Sequence, residues 1–206
     1  MTETDRPPEP SPDTVETRRS LLTRLRDWGD APGWREFFDT YWQLIYSVAR
    51  RSGMKDADAQ DLVQEVMVSV AREMPDFHYD PARGRFKSWL LRIVHRRIAD
   101  HWRTGVAART RTVSMEDEAV PEPLDEAGFE KVWLHEWEQH MLQLALRRVK
   151  SRVSVQQFMI FEMAELRRLP MSEIKRGLGV STTQVYLARH RVRKMVRAEL
   201  RQLGES

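Results

Sequence analysis

Residues 170–185 read Pro170-Met-Ser-Glu-Ile-Lys-Arg-Gly-Leu-Gly-Val-Ser-Thr-Thr-Gln-Val185. This order predicts a short helix from Ser172 to Gly177, a turn that contains Gly179 and a second helix that starts near Ser181. Ser181 and Gln184 have the spacing of a capping box, in which two side chains satisfy free backbone N–H groups at the start of a helix. Small apolar residues are spaced to hold the two helices at a steep angle: Ile174, Leu178, Val180 and Val185. The sequence from Met171 to Arg197 is therefore predicted to form a helix-turn-helix.

The second helix of this motif has one apolar and one polar face. Its predicted inward stripe consists of Val185, Ala188, Val192, Met195 and Val196. A recognition helix places its first residues at base edges in the major groove, and flanking cations grip phosphates. The residues that we expect to contact duplex DNA are Ser181, Thr182, Thr183, Gln184, Leu187, His190, Arg191 and Lys194.

Charge is segregated along the chain, although the formal net charge is only +3. Lys and Arg against Asp and Glu number 11 to 16 in residues 1–84, 8 to 1 in residues 85–113, 1 to 9 in residues 114–138 and 14 to 5 in residues 139–206. Two basic blocks thus flank an acidic one. A basic block is either a solvated helix face or a surface that binds nucleic acid. The spacing of the residues has to distinguish these two roles.

Three long helices are predicted before residue 104, because apolar residues recur there at spacings of three and four. The first carries Trp34, Phe37, Phe38, Tyr41, Leu44, Ile45 and Val48 and ends near Gly53. The second carries Leu62, Val63, Val66, Met67 and Val70 and is stopped by Pro75. The third carries Phe86, Trp89, Leu90, Ile93, Val94 and Ile98 on its inner stripe, and its outer face is basic. Trp89 lies on this apolar stripe and is expected to pack in the core.

The fold class predicted from these patterns is all-α, with two small helical domains and no strand. Residues 1–17 contain four prolines and almost no apolar side chains, which predicts a disordered tail. Residues 18–103 form the first domain, and residues 104–127 form a flexible acidic linker in which helical periodicity is lost. Residues 128–206 form the second domain. It begins with amphipathic helices from Val132 to Val149 and from Val155 to Leu169 and ends with the helix-turn-helix. The second of these helices opens with Ser154 and Gln157 at the spacing of a capping box.

Three segments of the first domain resemble region 2 of the bacterial extracytoplasmic-function (ECF) sigma factors. They are Asp58-Ala-Gln-Asp-Leu-Val-Gln-Glu-Val66, Phe86-Lys-Ser-Trp-Leu-Leu-Arg-Ile-Val94 and Ile98-Ala-Asp-His-Trp-Arg103. The helix-turn-helix resembles region 4 of the same family, and the acidic stretch resembles the linker that joins the two regions. The resemblance covers nearly the whole chain after residue 20, with its motifs in the family's order. It implies a sigma subunit that directs promoter-specific transcription initiation, with core RNA polymerase and promoter DNA as partners.

The resemblance also implies a polymerase-binding face on the second helix. Asp61, Gln64 and Glu65 lie at i, i+3 and i+4, so they share one helix face beside Val68. Such a face offers charged and hydrogen-bonding groups around a modest apolar contact. Acidic residues near the start of a helix also stabilise its dipole, and this is the alternative role for each of them.

A second implied site recognises and opens the melted promoter element at minus ten. Single strands are bound by aromatic rings on which bases stack, within a basic channel. The residues expected to supply the rings are Phe77, His78 and Tyr79, and those expected to supply the channel are Arg83, Arg85, Lys87, Arg92, Arg96 and Arg103. Region 4 is implied to read the duplex element at minus thirty-five. Its recognition helix departs from the family's usual Thr-Val-Lys-Ser-Arg-Leu start and has Gln184-Val-Tyr-Leu-Ala-Arg189 instead, with Ala188 in place of a basic contact.

The residue inventory argues against an enzyme and against cofactors. The sequence has no cysteine, which excludes disulfides and thiolate zinc sites. His135 and His140 are five residues apart rather than four, so they lie roughly 140° apart on a helix and cannot easily share a metal. The sequence shows no Gly-rich phosphate loop, and no metal, cofactor or small-molecule substrate is expected. No apolar run approaches the length of a membrane span, which predicts a cytoplasmic protein without membrane insertion.

Two alternatives to a sigma subunit remain open from the sequence. One is a stand-alone helix-turn-helix regulator, and the other is a DNA-acting enzyme such as a transposase or recombinase. An anti-sigma protein is common as a partner in the resembled family, but no residue of this sequence identifies one. A folded-back state, in which the acidic linker shields the two basic faces, is a further hypothesis.

Overall fold

The computed structural model describes residues 21–77, 86–111 and 124–204, and these residues form helices and connecting turns with no strand. The predicted all-α fold class is confirmed. After a helical turn at residues 21–24, the helices are α1 (Ala31–Arg51), α2 (Asp56–Glu73), α3 (Phe86–Arg111), α4 (Glu126–Lys150), α5 (Val155–Phe161), a π-helical turn (Glu162–Leu166), α6 (Met171–Leu178) and α7 (Thr182–Gly204). Among them, none has the length and hydropathy that a membrane span needs.

Local sequence explains where α1 and α2 begin and end. The Asp30 carboxylate accepts a hydrogen bond from the Gly33 backbone N–H at 2.9 Å and so caps α1. Gly53, which follows the end of α1, has a φ of 88°, a left-handed conformation that costs glycine little. Asp56 and Asp58 lie in the first turn of α2, where the helix dipole favours negative charge. The predicted ends of both helices are thus close to the observed ones.

The first half of the chain packs three helices around aromatic rings. Phe37, Tyr41 and Phe86 are all buried, with ring centroids 4.8 Å apart for Phe37 and Tyr41 and 5.3 Å apart for Tyr41 and Phe86. Every residue of the predicted α3 stripe is buried, including Trp89. Phe38 differs from the prediction. It is 42% exposed, because it lies at the edge of the apolar stripe of α1 and stacks on exposed Trp42 instead of entering the core.

The third helix is longer than its apolar pattern predicts. It continues to Arg111, into the segment that we expected to begin the linker at residue 104. Apolar periodicity reports burial rather than helix length, so it does not show how far a helix continues beyond its apolar stripe. The rest of the predicted linker up to residue 123, and the predicted tail at residues 1–17, lie outside the described residues.

The second half of the chain is built on α4, which packs against both α1 and α7. The Asp125 side chain caps α4 by accepting a hydrogen bond from the Gly128 N–H at 2.8 Å. Ser154 and Gln157 form the predicted capping box at the start of α5. The single helix expected from Val155 to Leu169 is instead divided, since α5 passes into the π-helical turn at Glu162. Just beyond the end of this turn, Arg168 has a left-handed φ of 54°.

The two halves share one hydrophobic core in this conformation. A continuous cluster of buried residues extends from Leu21 through α1–α3 to α4 and α7. At the contact between the halves, the Trp137 ring stacks on Tyr41 with centroids 6.3 Å apart, and Phe129 lies 4.6 Å from His95. Arg51 of α1 also forms an ion pair with Glu136 of α4, which is mostly buried. Apolar and aromatic packing therefore joins halves that the sequence suggested were linked only by a flexible segment.

Candidate polymerase and nucleic-acid interfaces

The predicted polymerase-binding face of α2 is open to solvent. Asp61, Gln64 and Glu65 are all exposed, and Val68 is 48% exposed. On the opposite side of the helix, Leu62 and Val66 are buried against the neighbouring helices. The packing of α2 against α1 and α3 thus leaves the four predicted residues together on its outer surface.

The aromatic part of the predicted single-strand site is only partly described. Phe77 is half-buried, and its ring centroid lies 4.6 Å from that of Trp89 and 6.2 Å from that of Phe86. The Arg26 guanidinium donates a hydrogen bond to the Phe77 carbonyl at 2.7 Å, which fixes the backbone there. In this conformation the ring of Phe77 extends the core of the first half. The other predicted residues of the loop lie outside the described residues: His78, Tyr79, Arg83 and Arg85.

The four described cations of the predicted single-strand channel lie along α3 in different environments. Arg92 is exposed, Arg96 forms an ion pair with Glu73 of α2, and Arg103 forms one with Asp100 on its own helix. Lys87 lies over the ring of Trp137, with its Nζ 5.6 Å from the ring centroid. Because Trp137 belongs to α4, the second half of the chain partly covers this end of the α3 surface.

The pair of helices with a turn at Gly179 is present as the sequence predicts. Gly179 has a φ of 63° and ends α6 in a left-handed conformation. Ser181 Oγ accepts a hydrogen bond from the Gln184 N–H at 3.2 Å, and Gln184 Oε1 accepts one from the Ser181 N–H at 2.8 Å. These reciprocal bonds cap α7 as predicted. They also occupy part of the hydrogen-bonding capacity of the Gln184 side chain.

Every predicted duplex-contacting residue of α7 and its cap is exposed, and the predicted inward stripe faces the protein. Val185, Ala188, Val192 and Val196 are buried, and Met195 is half-buried. The exposed set consists of Ser181, Thr182, Thr183, Gln184, Leu187, His190, Arg191 and Lys194. The helix therefore presents the predicted residues as one outer surface.

Two basic residues of α7 that were not among the predicted DNA contacts form ion pairs within the protein. The Arg189 and Arg193 guanidinium groups both donate to Glu165 Oε1, at 2.8 and 2.6 Å. Burial alone would raise the pKa of Glu165, but the hydrogen bonds from Arg189 and Arg193 outweigh it and lower the pKa below its ordinary value. This ion-pair cluster fastens α7 to the π-helical turn.

The outer surface of α7 is strongly basic because its one acidic residue is turned inward. Glu199 is only 3% exposed and forms ion pairs with Arg148 of α4 and with Arg152 just beyond it. A shallow groove on the other side of α7 is lined by His190, Arg193, Lys194, Arg197, Leu200 and Arg201. Sequence reasoning had not singled out Arg197 and Arg201, although their spacing of four residues indicates that they share a face with Lys194 and His190.

Comparison with known proteins identifies the first half of the chain. The sigma-70 region 2 family model matches residues 37–107, which cover most of α1, all of α2 and most of α3. The chain is 33% identical over 82 residues to the ECF RNA polymerase sigma factor SigK of Mycolicibacterium vanbaalenii, an alignment that covers 40% of this chain and 41% of the relative. It is 30% identical over 94 residues to the SigK of Mycobacterium tuberculosis H37Rv, covering 46% of this chain and 49% of the relative.

These alignments span less than half the length of the curated relatives. A solved structure described as CnrH in complex with the cytosolic domain of CnrY covers 88% of this chain and 96% of that chain, at 20% identity and a TM-score of 0.36. A likeness at that TM-score does not establish a shared arrangement of helices. The region 2 match and the SigK alignments confirm the resemblance inferred from the sequence motifs: residues 37–107 match sigma-70 region 2, and the aligned part of the chain is similar to ECF sigma factors.

Proposed function

We propose that this chain is an ECF sigma factor that binds core RNA polymerase and directs transcription from specific promoters. In this proposal, the first half recognises and opens the minus-ten element, and the second half reads the minus-thirty-five duplex. The observation that carries the proposal is that one chain joins a region 2 domain to a helix-turn-helix while both predicted contact faces, on α2 and α7, are exposed.

The face on α2 is the proposed contact with core polymerase. Its two carboxylates and one amide surround Val68, an arrangement that suits a partner with basic and amide side chains around a small apolar spot. Since none of the four side chains supports the packing of α1, α2 and α3, this face can be committed to a partner. Binding there would leave the core of the first half intact.

The basic surface of α3 is the proposed path of the melted strand. Arg92 is exposed, and Arg96 and Arg103 are held in ion pairs that are themselves open to solvent. Exposed ion pairs contribute little to stability, so a phosphate can replace the carboxylate partner at small cost. Lys87 is different, because Trp137 lies against it. Full use of the path therefore requires α4 to move away from α3.

The second half is the proposed reader of duplex DNA. Thr183, Leu187, His190 and Lys194 follow each other at spacings of three and four along α7, so they would face the major groove together. Arg191 and Arg197 extend the positive charge along the same helix. The pairing of Glu199 inside the protein removes the one carboxylate of α7 that would repel phosphates.

A reconstituted transcription assay tests the proposal. Purified chain and core polymerase are combined on a template that carries the region upstream of the chain's own gene, and run-off transcripts are measured. We expect a transcript with one defined start that requires both components. If no specific start forms while the chain alone still binds the same DNA, the protein is a stand-alone regulator instead.

A further inference from the structure

We infer that Tyr186 and Leu187 make α7 a reader of thymine methyl groups, so that the duplex element it recognises is specified by A·T base pairs at the contacted positions. This inference rests on the proposed role of the second half in reading promoter DNA. It adds the chemical class of base pair that the recognition helix selects.

Tyr186 and Leu187 are among the most exposed large apolar side chains in the described part of the chain, at 67% and 62%. Their neighbours on either side, Val185 and Ala188, are at most 5% exposed. The helix therefore directs these two side chains outward while it stays fixed to the protein by their neighbours. With Thr183 and His190, they share one face at spacings of three and four.

The first two turns of α7 contain no arginine or lysine that could select guanine by a bidentate contact. Guanine is selected by a bidentate arginine or lysine that donates to its O6 and N7 atoms. Residues 182–188 include neither residue type, and the first cation, Arg189, is held by Glu165. Gln184, which would otherwise suit adenine, uses its Oε1 atom in the capping box. Besides two threonine hydroxyls, which suit more than one base, the leading surface of this helix offers apolar contact.

An apolar side chain in the major groove distinguishes one natural base from the others. Thymine presents a C5-methyl group there, whereas the remaining bases present hydrogen-bond donors and acceptors. Burying one methyl group that water would otherwise surround changes affinity about fourfold. This difference is enough to favour thymine at each contacted position. The exposed cations Arg191, Lys194 and Arg197 lie further along α7, where they can grip phosphates while the first turns meet the bases.

Replacing thymine by deoxyuridine removes the methyl and nothing else, so it provides a direct test. Duplexes would first be enriched from a randomised pool with the full chain bound to core polymerase. The enriched duplex would then be resynthesised with deoxyuridine at each thymine of its distal element in turn. We expect thymines in that element and a loss of affinity of about fourfold for each contacted methyl.

Variants connect the effect to the two side chains. Leu187→Ser and Tyr186→Ser should each lose the difference between thymine and deoxyuridine at the position that the replaced side chain contacts. Val155→Ser, a change at a 76% exposed apolar residue of α5, should keep every difference. The inference fails if the wild-type complex is indifferent to deoxyuridine or enriches a distal element without thymine. Failure to enrich any sequence would instead contradict the proposed function itself, and the inference with it.

Discussion

Glu165 lies between Arg189 and Arg193 and accepts a hydrogen bond from each, at 2.8 and 2.6 Å. The glutamate belongs to the π-helical turn and both arginines belong to α7, so the cluster joins α7 to the element that precedes α6. A π-helical turn shifts the side chains that follow it around the helix axis relative to a regular α-helix. Here the turn places the Glu165 carboxylate within hydrogen-bonding distance of two arginines of α7.

This cluster predicts a pH-dependent contribution to stability. The folded-state pKa of Glu165 is lowered, so its contribution is complete above the ordinary value of 4.5 and is lost as the pH falls through the lowered pKa. Glu165→Gln should therefore lower the melting temperature near neutral pH, and the difference from wild type should shrink as the pH falls below 4.5 and through the lowered pKa. Glu162→Gln is the matched control, because the Glu162–Arg167 pair is exposed and should contribute little. An equal difference at every pH would contradict this account.

The turn at Gly179 predicts opposite effects for two neighbouring glycines. Gly179 has a φ of 63°, and a Cβ there would meet no atom within 4 Å, so the penalty of Gly179→Ala is conformational, about 1 kcal/mol. Gly177 lies within α6, where a Cβ would make an ordinary contact with Met163 at 3.8 Å. Gly177→Ala should stabilise by a similar amount because alanine favours the helix. Urea unfolding of both variants measures the two shifts, and shifts of the same sign would disprove the argument.

Periodicity in the sequence predicted most of the inner surfaces but not the connections between them. The stripes of α2, α3 and α7 were predictable because each burial pattern repeats along a single helix. The capping boxes at Ser154 and Ser181 were predictable because their partners are three residues away. The Glu165 cluster depends on residues 24 and 28 positions apart in sequence and on a π-helical turn, for which the sequence carries no local signal.

Packing between distant segments explains the other differences. Tyr41 and Trp137 each lie on a predicted helix, but their contact depends on how the two halves meet, which periodicity does not describe. Tyr186 was left out of the predicted DNA-contacting residues, although its spacing from Thr183 and His190 places it on the same face. Phe38 was assigned to the apolar face of α1 because its spacing from the other apolar residues is three or four. Residues at such spacings cover a wider part of the helix circumference than the part that α1 buries.

The α2 face provides a prediction for polymerase binding. Asp61→Ala combined with Gln64→Ala should weaken binding to core polymerase at least tenfold, because it removes a charged and a hydrogen-bonding group from the proposed contact. Both residues are exposed, so the free energy of unfolding should change by less than about 0.5 kcal/mol. Titration of labelled chain into core enzyme measures the affinity. Glu138→Ala with Gln139→Ala, an exposed pair of the same types on α4, should bind normally. Unchanged affinity of the first variant would exclude this face as the contact.

The contact between the two halves predicts how the free protein responds to salt. Trp137 packs on Tyr41 and covers Lys87, so aromatic and apolar contacts hold the halves together. Added salt screens charges but does not weaken apolar contacts, so the distance between a label on α2 and a label on α7 should stay constant as salt increases. Trp137→Ala removes a large buried side chain and should lengthen that distance. A distance that grows with salt in the wild-type protein would instead favour an electrostatic folded-back state.

The proposed DNA-binding surface of α7 predicts that Arg191 and Lys194 bind phosphates and do not read bases. Arg191→Ala or Lys194→Ala should weaken binding to all duplexes by a similar factor, because a phosphate contact carries no sequence information. Each lost contact should also reduce the slope of log affinity against log salt by about 0.9. Arg35→Ala, which removes an exposed arginine from α1, should change neither quantity. Binding to a set of unrelated duplexes over a range of salt concentrations measures both effects. A loss confined to particular sequences would mean that the replaced side chain reads a base.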